Sequence, residues 1–335
     1  MPIPRFRKHD GAPLWSYGFR PFFLFGSLYS GLSILLWLPQ FYGELELSTL
    51  FAPVDWHIHE LFFGYLAAVI SGFLFTAIPN WTGRLPVQGV PLIALFILWV
   101  CGRLAVTFSV SLGWFATMTV DLLFLTAIIL VVTREIVAGK NWRNLKVLIP
   151  VSIFLAANIG FHLEAHFAGS SDMSRRLALA AVVTLIMIIG GRIIPSFTRN
   201  WLVRCNETTL PTPFGRLDVG AIVISAVTLI AWVFHPEGVI VGSMFVLAAI
   251  AQLFRLGRWN GHLTLREPLV AILHVSYLFI PIGFALIALS LLQPEIFPGA
   301  AGIHALGVGA VGTMTLSVMV RATLGHTGRA LKANR

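Results

Sequence analysis

The stretch VDWHIHELFFG, residues 54–64, sets His57, His59 and Glu60 at the mouth of an otherwise apolar run. A second stretch, NIGFHLEAHFAG (158–169), carries His162 and His166, and His304 lies in GIHALGVGAVGTM. Imidazole is a good ligand for haem iron and copper. On a regular helix His162 and His166 (i, i+4) share a face, a common arrangement for two metal ligands; His57 and Glu60 (i, i+3) also share one. His59 falls about 200° round from His57. The two therefore face different centres, or one ligates while the other steadies it. His326 stands at a helix exit, and Arg192 and Arg321 are cations suited to an anionic propionate. A lone interfacial histidine is ordinarily an anchor or a cap. An ionisable group such as His304, inside a glycine-rich span, is functional by default.

The elements that must position these groups follow from composition. Of the 335 residues, 57% are hydrophobic and 11% charged. Soluble domains average about 25% charged residues, so this chain has too little polar material to cover a water-facing surface. Long uncharged runs recur, and no ten-residue alternating segments of a β-barrel are visible. The fold class is an all-α integral membrane protein. Ten spans are expected, at 20–40, 57–79, 90–107, 112–134, 146–167, 175–196, 217–234, 238–255, 268–292 and 299–324. The first is an uncleaved span rather than a signal peptide.

The charge of +9 would suit a nucleic-acid binder, but its distribution excludes that class. All but Arg103, Arg175 and Arg176 of the 23 Lys and Arg fall in or beside every second connection, which is the positive-inside pattern. The segments 1–19, 80–89, 135–145, 197–216, 256–267 and 325–335, and with them both termini, are expected in the cytoplasm. The histidines at 57, 59, 162, 166 and 304 then gather near the outer leaflet from three helices. Trp56, Trp81, Trp99 and Trp114 look like interfacial belt residues. Cys101 and Cys205 form no CxxC and imply no disulfide framework.

The chain is expected to be one polytopic domain, 1–335. The span ends GFLFTAIPNWTGR, GGRIIPSFTRNW and MVRATLGHTGR share wording at four-helix intervals, which suggests pseudo-repeated units at 20–134, 146–255 and 268–335, the last truncated.

GFRPFFL (18–24), WHIHELFFG (56–64), GFLFTAIPNWTGR (72–84), GGRIIPSFTRN (190–200) and HALGVGAVGTMTLSVMVRATLGHTGR (304–329) resemble the NnrS family nearly end to end. The resemblance implies a bacterial inner-membrane protein with haem and copper. Its context would be nitric oxide and nitrosative stress, by binding, sensing or detoxification, with redox activity on nitric oxide and an electron donor as further implications. Position by position it carries over His57, His59, Glu60, His162, His304 and His326, without dividing them between haem and copper. Family members typically have twelve spans, so the final pair is expected to be missing here. The alternative is a transporter for a metal, haem or nitrogen oxide, with Asp121, Arg103 and His274 along its pathway and a helix broken near Pro281. Asp121 is otherwise a proton-relay carboxylate, a neutral hydrogen-bonded group or the partner of Arg103.

Overall fold

A chain crossing hydrocarbon must satisfy its backbone polar groups internally, and a helix does so within one segment. The computed structural model describes residues 11–333, and among these there is no β-strand. Ten helices are long and apolar enough to cross a bilayer: α1 Phe19–Phe41, α2 Pro53–Thr82, α3 Val90–Thr107, α4 Trp114–Ala138, α5 Trp142–Phe167, α6 Asp172–Arg204, α7 Arg216–Phe234, α8 Val239–Gly257, α9 Pro268–Leu292 and α10 Gly299–His326. They match the expected spans closely, except that α6 continues to Arg204 instead of stopping at 196. The topology assigned to residues 1–10, 334 and 335 lies outside the described residues.

Local sequence explains the boundaries. α2 starts with Pro53 in its first turn, where a missing N–H costs nothing, and Asp55 adds a negative charge at the positive end of the helix dipole. It ends at Gly83, whose φ of 69° is the left-handed cap that glycine adopts without strain. α9 runs unbroken through Pro281, so the expected break there is absent. Helix irregularity appears elsewhere. A π-helical turn occupies Glu60–Leu66 within α2, directly after His59, and another occupies Ala305–Gly312 within α10, directly after His304. Such turns often accompany functional sites.

The chain divides into two compact units, Met1–Ala178 and Leu179–Arg335, with the boundary inside α6. In the first unit α2 packs against α1, α3 and α4, and α4 packs against both α3 and α5. Ser171 donates to Asp55 Oδ1 at 2.5 Å, tying the start of α6 to the start of α2. In the second unit α8 lies between α7 and α9, and α9 packs along α10.

Candidate metal centre

Charged groups buried mid-span must find partners, because the hydrocarbon supplies none. In the first unit they find one another. Arg103 of α3 is the hub: its Nη1 donates to both carboxylate oxygens of Glu60, each at 2.6 Å, and its Nη2 donates to Asp121 of α4. Arg103 is thus the partner of Asp121. The Tyr29 hydroxyl of α1 also donates to Glu60. Two glycines make room for this hub. A Cβ at Gly64 would sit 2.9 Å from Arg103 Nη1, and one at Gly102 would sit 3.0 Å from Asp121 Oδ1.

The imidazoles attach to the same carboxylates. His59 Nδ1 lies 2.9 Å from Glu60 Oε1, and His59 Nε2 lies 3.3 Å from Asp121 Oδ2. His162 Nε2 of α5 lies 3.2 Å from that same Oδ2. Asn158, one turn before His162, donates from Nδ2 to Asp121 Oδ2 at 2.8 Å and turns Oδ1 to His59 Nε2 at 3.1 Å. Ligand atoms of His59, Asp121 and His162 all fall within 4.8 Å of one another, and all three residues are buried. Two nitrogens and one carboxylate oxygen form a donor set suited to copper, zinc or iron.

Charge counting supports a cation here. Glu60 and Asp121 against Arg103 leave the cluster with one uncompensated negative charge when both imidazoles are neutral. A single proton or part of a metal ion's charge would balance it. The Glu60–His59 contact also has the form of a carboxylate orienting a ligating imidazole by its far nitrogen. A haem does not fit at this position. The rings of Phe51, Phe63 and Phe161 stand 5.0, 5.1 and 5.3 Å from the His59 ring, and Phe51 stands 5.3 Å from His162. This packing accommodates one ion and no flat macrocycle.

The other sequence-derived residues lie elsewhere. His57 stacks on Trp37 with ring centroids 4.0 Å apart, and Glu60 joins His59 rather than following the expected pairing with His57. His166 stacks on Trp114 at 4.3 Å, so the i, i+4 pair on α5 does not converge on one ion. Trp56 and Trp99 are buried, which corrects their belt assignment, and Trp99 Nε1 donates to Gly64 O at 2.9 Å inside the π turn.

In the second unit His304 is exposed and its Nδ1 donates to Ala300 O at 2.8 Å. That tautomer leaves the Nε2 lone pair free, so this nitrogen could ligate a metal. A Cβ at nearby Gly307 would meet nothing within 4 Å, so the surface beside His304 is open. Arg321 lies over the Phe197 ring at 4.0 Å, His326 ends α10, and Arg192 lines a cavity. His274 Nε2 is 2.7 Å from Thr198 Oγ1.

Sequence reasoning missed Asn158, Tyr29 and the place of Asp121 beside His59 and His162. Asn158 was detectable, since it stands i, i+4 from His162 on one helix face. A family model described as NnrS protein matches residues 13–335. No curated protein and no solved structure gives a significant match.

Proposed function

This chain belongs to the NnrS family, and from that premise we propose that it is a haem- and copper-binding membrane protein that binds nitric oxide and acts in the response to it. The observation carrying the proposal is the buried His59–Asp121–His162 donor set, whose ligand atoms lie within 4.8 Å of one another. Copper is the ion assigned to it, held by His59 Nε2, His162 Nε2 and an Asp121 oxygen. Haem is assigned to the exposed side of His304, through Nε2. When bound, these metals supply open coordination positions for nitric oxide and one-electron chemistry with an external donor.

The chain's own residues set the conditions for that chemistry. Arg103 keeps two carboxylates compatible with a dry interior. Asn158 fixes the rotation of Asp121 by donating from Nδ2 to its Oδ2, and its Oδ1 stands beside the His59 nitrogen assigned to the ion. Glu60 holds the far side of His59, and Tyr29 anchors Glu60. The phenylalanines around His59 exclude water and line it with apolar rings. The arginine-rich connections face the cytoplasm and the histidine-bearing ends of α2, α5 and α10 face the outer leaflet of the inner membrane.

Elemental analysis and visible and electron paramagnetic resonance spectra of the purified protein test this, with and without nitric oxide. Copper and a Soret band are expected, both perturbed by the gas. His59→Ala and His162→Ala should lose copper, while His166→Ala should retain it. Absence of both metals from protein isolated from metal-replete cells would rule the proposal out.

A further inference from the structure

A second polar site lies in the other unit, built from different residues. At 1.5 Å per residue the 33-residue α6 is about 50 Å long, well beyond a hydrocarbon core of about 30 Å. Its last turns therefore project past the apolar layer. There Arg192, Pro195, Ser196 and Arg199, at i, i+3, i+4 and i+7, form one face. That face, with Gly191, the loop 211–214, Asp218 and Trp259, encloses a cavity of about 350 Å³. Arg192 and Arg199 are both exposed, and neither has an ion-pair partner among the described residues.

The wall behind them is also cationic. Arg255 is buried, with Nε bound to Asp218 at 3.0 Å and Nη1 bound to Met187 O and the Tyr277 hydroxyl at 3.0 and 2.7 Å. Its Nη2 is buried with no hydrogen-bond acceptor among the described residues. A Cβ at Gly191 would collide with that Nη2, so this guanidinium presses on the cavity wall where only glycine admits it. Asp218 is the one carboxylate in the lining, and it is neutralised by Arg255 and by Arg258 at 3.1 Å. Asp218 is thus taken up by two guanidiniums, and the lining's Arg192 and Arg199 keep their charge. Phe214 and Trp259 supply apolar walls beside them.

We propose that the cavity bounded by Arg192, Arg199 and Gly191 is a binding site for a phosphate-bearing anion, with Arg192 and Arg199 as its direct contacts and Arg255 as the cation behind the wall. Forked guanidiniums match phosphate oxygens better than point charges do. The same chemistry is offered by a soluble phosphate or phosphoester and by the headgroup of an anionic phospholipid.

Full-length protein in delipidated detergent is titrated with inorganic phosphate, with chloride at matched ionic strength as the control, following thermal unfolding. In parallel, protein from nanodiscs of phosphatidylglycerol and phosphatidylcholine is examined by native mass spectrometry for retained lipid. Arg192→Gln with Arg199→Gln removes the exposed contacts without touching the packed interior. Arg134→Gln, on exposed α4 surface, is the charge control. Saturable phosphate stabilisation whose half-saturation rises at least tenfold in the double variant, and not in Arg134→Gln, supports a soluble phosphate ligand. Selective phosphatidylglycerol retention lost in the double variant, without a phosphate effect, supports a headgroup. If neither ligand binds, or if both bind equally to the double variant, the site is refuted.

Discussion

Replacing Arg103 by Met is the sharpest test of the buried network. Methionine keeps an unbranched apolar stem but removes the cation shared by Glu60 and Asp121. Both carboxylates are almost wholly shielded, with side-chain exposures of 0% and 1%. Breaking a buried ion pair on one side costs about 3–5 kcal/mol, chiefly because the remaining charge is stranded. In a unit of this size each kcal/mol moves Tm by about 2–4 °C, so unfolding of the first unit should fall by about 6–20 °C. The assay is thermal unfolding of the detergent-solubilised protein, monitored by near-ultraviolet circular dichroism to follow packing. Adding Glu60→Gln and Asp121→Asn removes the stranded charges, and this triple variant should regain most of the loss. Arg103→Lys should recover only part, since an ammonium cannot fork to two carboxylates as a guanidinium does. A single variant melting within about 2 °C of the parent would refute the electrostatic reasoning. A triple variant as unstable as the single one would shift the cause from charge to packing.

Asn158→Leu should weaken copper binding by about 10–100-fold, as loss of an orienting partner usually does, with His59 and His162 still present; competition with a chromogenic chelator measures it. His304→Ala should abolish or shift the Soret band while copper content stays unchanged, and parallel loss of both metals would contradict two separate sites. Tyr277→Phe takes the donor from Gln252 Oε1 and the acceptor from Arg255 Nη1. It should cost about 1–3 kcal/mol, read as a fall in thermal stability without change in metal content.

The spans were legible because the bilayer imposes a length and a composition on each of them, and these are local properties. The site was legible only in part. Arg103 and Asp121 have opposite signs, and each is costly alone inside a span, so their pairing follows from solvation. The grouping of His57 with Glu60 assumed a regular helix. The π turn begins only at Glu60 and does not part the two; what parts them is that Arg103 and Tyr29 hold Glu60 while His57 stacks on Trp37. No sequence signal distinguished that turn from the apolar residues around it. His166 stacks on Trp114, at the opposite end of the preceding helix in sequence. Such long-range choices depend on which helices become neighbours, which periodicity does not encode. His304 kept its interest because its bond to Ala300 leaves one nitrogen free.

Among the described residues each unit holds one buried guanidinium, and in each a carboxylate partner lies on the helix immediately before it: Glu60 precedes Arg103, and Asp218 precedes Arg255. This order has a consequence for biogenesis. When an arginine-bearing helix leaves the ribosome, its counter-charge has already been made and waits one hairpin away. The α2–α3 hairpin can therefore enter the bilayer as a neutralised pair, so Arg103 does not have to enter hydrocarbon alone. Asp121, made last in the first unit, then joins a cation already held in place.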